Sequence, residues 1–571
     1  MYVLGMSEAG HNAAACLIHN GNLLNFAEEE RFTRVKSAPD TYPFQASAFC
    51  LREQGISLSD VSCIAIGWNL DKYNGNMQRF YRSISRKYAK DDVTKLTERM
   101  LFDRFNKDRV IHRIREGFRR VGYSQKFPPL YFVDHHLAHA ASTFFSSGFE
   151  RATILTLDGA GEEIATAFFE GDGLDIRIKE SFPLPHSLGW FYSMVTEFLG
   201  FLPNQHEGIV MGLAAFGQED AKARDVLTRV LSLNKKGYQV DPAYIFFGDH
   251  TYGTRFTDRL VTELGPPRNR NEPITDHYKN VAYIAQDLLE KAALHLLEIH
   301  SPDDMIDNLC LAGGVAMNCS LNGFIARSGR VRNLFIQPAS QDSGTALGAA
   351  MIASKEAGYD PRFKMVHAFW GPGFSNEQIE RALRTAKVQH ARVADPASVA
   401  AQYLAEGKII GWFQGCMEIG ARALGARSIL ANPASIETKD IVNKRIKFRE
   451  SWRPFAPTLT DTFASILFDG FSDSLFMMQA FEVQNAAKHL IPAAVHVDGT
   501  ARPQILPNTA PYTRYRQMIE NFTRITSVPA ILNTSFNVKG EPIVCTPKDA
   551  IASFYSTGLD ALIMEDYLIV K

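Results

Sequence analysis

Two stretches of the chain repeat one hydrophobic pattern. An apolar run over residues 2–6 is followed by a small-residue turn at 7–10, an apolar run at 12–18, the pair Asn20-Gly21 and a further apolar run at 23–28. Asn-Gly between apolar runs predicts a type I′ hairpin, because both central residues of that turn need positive φ. The β-branched run at 152–157 and the run at 164–169 flank a turn that carries Asp158 and several glycines. That again reads as strand, small-residue turn, strand, and the repetition predicts an internally duplicated domain. Between the two units, residues 71–125 place Val110, Ile111, Ile114 and Phe118 at helical intervals among many Arg and Lys. This predicts an amphipathic helical insertion with a solvated basic face. A strand at 129–133 leads to a helix starting near residue 135. A long amphipathic helix at 277–300 precedes a strand at 308–311. A strand at 334–336 precedes an Ala-rich helix at 345–353.

Polar residues that interrupt these patterns fall where strands give way to helices. In Val133-Asp134-His135-His136-Leu137-Ala138-His139, a helix capped by Asp134 sets His135 and His139 at i and i+4, one above the other on one face. Asp158 at the end of one strand and Asp342 after another complete a set of two imidazoles and two carboxylates. Such a set can hold a metal and leave coordination positions open. His136 faces away from the pair and is predicted to lie outside the set, as a supporting or substrate-side residue. Gly313-Gly314 at a strand end, before a helix, offers backbone N–H groups to a phosphate. His11, in the first small-residue turn, is placed to act as a base near a phosphate or hydroxyl. The glycine- and aromatic-rich passage at 182–217 predicts close backbone approach to a ligand or a neighbouring element.

Composition narrows the classes. A chain of 571 residues with 46% hydrophobic residues supports at least two domains. A formal net charge of -1 gives no bulk drive toward nucleic acid or an anionic membrane, so no nucleic-acid or membrane partner is expected and small molecules are. The seven cysteines show no CxxC pair, and the N-terminus reads as a strand and not as a signal peptide. A soluble, cytoplasmic protein is expected. In the second part of the chain Arg422, Arg427, Lys447, Arg449, Arg453 and Arg502 stand in apolar or turn-rich surroundings, interleaved with Asn533 and Ser535. Several guanidinium forks on one pocket match the oxygens of a small dianion plus a triphosphate.

The motifs DHHLAHA, LDGAGEE, MGLAAFG, LAGGVAMN and QDSGTALGAA resemble the Kae1-like branch of the actin, sugar-kinase and Hsp70 (ASKHA) superfold. In the NodU/CmcH family of O-carbamoyltransferases that branch is joined to a YrdC-like domain. The similarity continues through GWFQG, EIGARALGARSIL, KFRE, WRPFAP, DGTARPQ and LNTSFN. The resemblance implies an α/β fold class, with a duplicated Kae1-like domain at 1–357, a Gly-Tyr-Asp-Pro linker and a YrdC-like α/β domain at 366–571. It implies an ATP-dependent transfer from carbamoyl phosphate, through a carbamoyl-adenylate, to a hydroxyl of a secondary-metabolite acceptor. Family members carbamoylate tobramycin, cephamycins, ansamycins and nodulation factors. On the matching positions, His135, His139, Asp158 and Asp342 hold Fe(2+) or another divalent metal, and His11 is the general base. Gly159, Gly161, Gly313, Gly314 and Asn318 line the adenylate. Arg422, Lys447, Arg449, Arg453, Arg502, Asn533 and Ser535 grip carbamoyl phosphate and ATP, the latter with Mg(2+).

Two positions depart from the family pattern. Ile209 stands where many relatives have a lysine, and Asn12 follows His11 where an aspartate is common. Three other readings compete. A tRNA threonylcarbamoyl transferase shares both folds, but balanced charge and the order of the parts oppose it. A metallopeptidase would need the glutamate of HExxH, and His136 occupies that place. A non-catalytic ATP-binding module of the Hsp70 type does not account for the cations of the second part.

Overall fold

A computed structural model describes residues 1–8, 10–72, 105–124, 126–245, 254–302, 304–470 and 474–571. The chain forms two compact units, Met1–Asn25 with Pro39–Lys364, and Phe26–Ala38 with Met365–Lys571.

The first unit is built on two five-stranded sheets. In one, β1 (Tyr2–Met6) pairs antiparallel with β2 (Ala14–His19), and β3 (Asn22–Glu28) lies beyond β2. On the other side β4 (Val61–Ile66) runs parallel to β1, and β5 (Leu130–Phe132) runs parallel to β4. The other sheet repeats this plan. Strands β6 (Arg151–Gly161), β7 (Ile164–Asp172) and β8 (Asp175–Pro183) form an antiparallel meander. Ile306–Ala312 then runs parallel to β6, with Val331–Ile336 parallel beyond it. Each sheet therefore has the order third, second, first, fourth, fifth, which is the duplication read from the hydrophobic pattern. The fold is α/β, as expected.

Local chemistry accounts for these elements. Asn20 and Gly21 have φ of 49° and 86°, as the hairpin requires. Val3, Leu4 and Met6 of β1 and Leu309, Cys310 and Leu311 near the end of Ile306–Ala312 are fully buried, as expected where both faces of a strand are covered. The helices His135–Ser147 and Ser343–Glu356 pack with almost no gap. A Cβ on Gly348 would stand 1.7 Å from the Ala138 carbonyl oxygen. This close approach brings the two histidines near Asp342. Gly348→Ala is expected to force the helices apart and destabilise the fold by about 1–3 kcal/mol, read as a lower denaturation midpoint. An unchanged midpoint would show that the pair of helices tolerates separation.

Of the insertion at 71–125, the helix Lys107–Arg120 is as predicted, with Val110, Ile114 and Phe118 buried and the Asn106 side chain accepting from the Arg109 N–H at 3.1 Å. Residues 73–104 and 125 of that insertion lie outside the described residues. Ile209, the departure from the family pattern, is buried in the helix Glu207–Ala214. No described helix is long and apolar enough to cross a membrane, and all seven cysteines are free thiols.

The second unit carries an eight-stranded mixed sheet. At its centre Ile410–Phe413, Arg427–Ala431, Ile531–Ser535 and Ala456–Thr460 lie side by side, all joined antiparallel. Hydrophobic clusters cover the sheet, one of them around Trp412, Tyr515 and Phe522. The segment Phe26–Ala38 is fastened into this unit. Glu28 accepts from the Gly420 N–H at 2.6 Å, Arg31 donates to the Gly420 carbonyl at 2.8 Å, and Arg34 donates to the carbonyls of Pro542 and Ile543 at 3.0 and 2.6 Å. Hydrophobic pattern gave no reason to separate this segment from its neighbours, because its anchors are ion pairs and backbone contacts.

Candidate metal centre and cation cluster

In the first unit, four residues distant in sequence converge. One ligand atom from each of His135, His139, Asp158 and Asp342 lies within 4.8 Å of the others, and all four residues are buried. The Asp158 Oδ2 stands 3.2 Å from the His135 Nε2 and 2.9 Å from the His139 Nε2. The Asp342 Oδ1 is 3.7 and 3.6 Å from the same two nitrogens. The nitrogens face each other at 3.1 Å. The His135 Nδ1–H donates to the Gly67 carbonyl at 3.1 Å, which fixes the tautomer with the Nε2 lone pair turned inward. Two inward nitrogens so close, beside two carboxylates, can share a bound cation. The same field acts on the protons of the set. Burial opposes the His135 imidazolium, but the hydrogen bond to Asp158 and the charges of Asp342 and Glu162 outweigh it and hold its pKa up at about 10. Burial also opposes the Asp158 carboxylate, and the two histidines overcome it, keeping its pKa well below the usual carboxylate range. The donor set therefore fits a divalent metal of borderline or hard character.

The capping expected of Asp134 is made differently. The helix begins at His135 with Asp134 at its N-cap position, but the Asp134 side chain makes no cap bond. Its carboxylate accepts from the Asn69 amide at 2.7 Å and from Lys72 instead. The His135 N–H donates to the Glu162 carboxylate at 3.1 and 3.2 Å, and Glu162 also accepts from the Asn69 N–H at 2.6 Å. Sequence reading assigned Glu162 no role. Its signal was the carboxylate in LDGAGEE, without a local helix to cap.

His136 belongs to the core. It is bonded to the Thr156 hydroxyl at 2.7 Å and donates to the Ile164 carbonyl at 2.9 Å, and burial pushes its pKa down to about 3. His11 joins the centre from the other side: its Nδ1 is 3.4 Å from the Asp342 Oδ2 and 2.9 Å from the Asn12 amide nitrogen. Asp342 thus turns one oxygen to the histidine pair and the other to His11.

The glycines serve close packing around the centre. The Gly159 N–H donates to the Asp158 Oδ1 at 2.6 Å, leaving Oδ2 to the histidines. A Cβ on Gly161 would lie 2.4 Å from the His135 ring, and one on Gly314 would lie 3.2 Å from the Asp158 carboxylate. Gly313 has φ 93°, and its N–H donates to the Ser340 carbonyl at 2.8 Å. The free backbone donor expected at Gly313 is therefore already engaged. Asn318 caps the helix Cys319–Arg327 through the Leu321 N–H at 3.0 Å and exchanges hydrogen bonds with Gln286.

In the second unit, a turn of π-helix at Asn443–Lys447 delivers Lys447 into the interior. Its Nζ donates to the Ser535 carbonyl and hydroxyl at 2.8 and 3.1 Å and to the Asn537 carbonyl and Oδ1 at 3.0 and 2.5 Å. Asn537 is a member the sequence reading left without a role, although it stands in the same LNTSFN motif. Arg449 donates from Nε to the Asn443 side chain at 2.7 Å and lies over the Phe455 ring. Burial, then the neighbouring cations, pushes the pKa of Lys447 well below the usual range; Arg449 and Arg453 are its largest cationic neighbours. Arg449 is pushed down likewise, with Arg453 and Arg502 acting on it. The Arg502 Nε is buried and has no hydrogen-bond partner among the described residues. Asn533 shares the strand Ile531–Ser535 with Ser535; its amide nitrogen donates to the Ala423 carbonyl and the Thr458 hydroxyl at 3.1 Å each. Arg422 is half-buried in the loop before Arg427–Ala431.

Arg427 leaves the candidate set. It is fully buried, lies over the Phe413 ring at 3.6 Å, and donates to the carbonyls of Gln414, Pro372, Ala426 and Gly415 at 2.7–3.2 Å. Arg427→Met is expected to orphan these carbonyls and cost about 3 kcal/mol or more, measured by denaturant unfolding. A loss of substrate affinity at unchanged stability would return it to the site.

Residues 2–351 match the family model described as carbamoyltransferase N-terminus, and residues 401–571 match that described as carbamoyltransferase C-terminus. An uncharacterised protein of Synechocystis sp. is 34% identical, over 100% of this chain and 97% of its own. Nodulation protein NolNO of Sinorhizobium fredii is 36% identical, over 98% of this chain and 79% of its own. Nodulation protein NolO of Bradyrhizobium diazoefficiens is 39% identical, over 77% of this chain and 79% of its own.

Proposed function

This chain belongs to the carbamoyltransferase family, and we propose that it carbamoylates a hydroxyl of a small secondary-metabolite acceptor, using carbamoyl phosphate and ATP. The observation that carries this reading is the charge balance of the second unit. Arg449 and Arg453 act on Lys447, and Arg453 and Arg502 act on Arg449, while the carboxylate of Glu450 is 4.0 Å from Arg453 and shared with Lys539. Buried cations without equal countercharge are costly unless an anion completes them. A phosphate-bearing donor and a triphosphate supply that charge.

In this reading the second unit releases phosphate from carbamoyl phosphate with water. It then joins the resulting carbamate to the α-phosphate of ATP, and pyrophosphate leaves. The carbamoyl-adenylate is consumed in the first unit. There the acceptor hydroxyl forms a bond to the carbamoyl carbon as the bond to AMP breaks, and His11 takes the hydroxyl proton. The departure at Asn12 is compensated at this point. The His11 Nδ1 lies 3.4 Å from the Asp342 Oδ2 and 2.9 Å from the Asn12 amide nitrogen, so Asp342 sets a carboxylate beside the imidazole where an aspartate at position 12 would have provided one. His135, His139, Asp158 and Asp342 would hold the metal, iron by the family resemblance, which supplies Lewis-acid stabilisation of negative charge.

Carbamoyl-phosphate-dependent release of pyrophosphate from ATP, together with mass-spectrometric detection of a single carbamoyl group on an acceptor, tests the proposal. Absence of pyrophosphate release with both substrates present overturns it. Arg502→Ala is expected to lower that release by about a hundredfold, and an unchanged rate would take Arg502 out of the site.

A further inference from the structure

The turn that buries Lys447 does something else with the next residue. Phe448 lies in the left-handed region, with φ 46° and ψ 48°, directly after the five-residue π-helix Asn443–Lys447. Among the described residues it is the only aromatic residue with positive φ. That conformation is costly for a bulky side chain, and glycine would adopt it freely. The cost is not repaid by burial, since Phe448 is 51% exposed. Strain of this kind, like single turns of π-helix, collects where a ligand is held.

Phe448 borders a cavity of about 510 Å³ whose other walls are Asp440, Asn443, Lys444, Arg449 and Ser451. The floor is rigid. The Asn443 amide donates to the carbonyls of Ser451 and Arg453 at 3.2 Å each, and its oxygen accepts from the Arg449 Nε. Arg449 therefore lines the cavity and also belongs to the cation cluster with Lys447, Arg453 and Arg502. The lining thus joins an aromatic face, a space large enough for a nucleoside and a guanidinium with further cations beside it, the groups that suit the base, sugar and phosphates of a nucleotide.

We infer that this cavity is the base-binding half of the nucleotide site, with Phe448 as the surface on which the purine ring of ATP stacks and Arg449 as the link to its phosphates. The inference rests on the reading that ATP is used in the second unit, and it adds the residue that recognises the base. Stacking requires an exposed aromatic face, which accounts for a phenylalanine where the backbone favours glycine.

The test uses the full-length chain and the carbamoyl-phosphate-dependent release of pyrophosphate, with inorganic triphosphate as a competitive inhibitor that has no base. Phe448→Gly relieves the backbone strain, so its melting temperature should equal or exceed that of the parent protein. Its KM for ATP is expected to rise roughly tenfold or more, while the KM for carbamoyl phosphate and the Ki of triphosphate stay within about twofold. Phe448→Tyr should restore the KM for ATP. An unchanged KM for ATP in Phe448→Gly overturns the inference, and so does parallel weakening of ATP and triphosphate with a lowered melting temperature. If the parent protein releases no pyrophosphate, the reading of ATP use falls as well, and the two failures are thereby told apart.

Discussion

Replacement of Asp158 by alanine is expected to reduce carbamoyl transfer to the acceptor by about a thousandfold or more, the loss of several kcal/mol of charge stabilisation at the centre, while carbamoyl-phosphate-dependent pyrophosphate release from ATP continues. The expectation follows from the position of one oxygen. Asp158 Oδ2 lies 2.9 and 3.2 Å from the two imidazole nitrogens, closer than any oxygen of Asp342. Without it, two nitrogens 3.1 Å apart face one more distant carboxylate, and the site loses both a ligand and half of its negative charge. Asp158→Asn keeps the volume and removes the charge, so it should follow the alanine variant in activity and remain closer to the parent protein in stability. Metal content, measured by elemental analysis of purified protein, should fall in both variants. Loss of pyrophosphate release together with transfer would defeat the division of labour between the units. Full transfer without Asp158 would remove this cluster from the chemistry.

Much of this centre was legible in the sequence because its ligands obey simple periodicities. His135 and His139 share a helical face, and Asp158 and Asp342 fall where strands meet turns or helices. The duplicated sheets were legible for the same reason, since each opens with apolar runs around a small-residue turn. What could not be read was whatever depends on atoms meeting from separate elements. Glu162 replaces Asp134 as the partner of the first helical N–H, and Gly348 lets one helix backbone touch another. Neither effect leaves a periodic trace. The cations of the second unit show the limit from the other side. Arg427 and Lys447 are both buried, both stand in motif-rich stretches and both donate to backbone carbonyls, but Lys447 has further cations as its largest charged neighbours. Charge and spacing do not tell the two apart, and only the identity of their neighbours separates a structural cation from a candidate anion-binding one.

The opposite half of the reaction should fail when Lys447 is replaced. Lys447→Met preserves an unbranched chain of similar length but removes the ammonium bound to four oxygens of Ser535 and Asn537. Those bonds hold the end of the strand Ile531–Ser535 in the shape that presents Ser535, and in the proposed reading the charge contributes to the field that draws the anion. Pyrophosphate release is expected to fall by about a hundredfold to a thousandfold, the scale of removing one preorganised charged donor from a water-poor site. Carbamoyl transfer should fall with it, because the acceptor can be served only by an intermediate that is no longer made. Metal content should stay at the parent level, since the centre in the first unit is untouched. Lys447→Arg should not restore activity: a planar fork is wider than the ammonium and cannot reach four oxygens arranged around a single point. The two variants thus separate the functions in opposite senses, Asp158→Ala sparing the first half-reaction and losing metal, Lys447→Met losing the first half-reaction and sparing metal. A Lys447→Met protein that still released pyrophosphate at the parent rate would show that the buried ammonium only braces the strand end, and the anion site would then have to be assigned to Arg449, Arg453 and Arg502 alone.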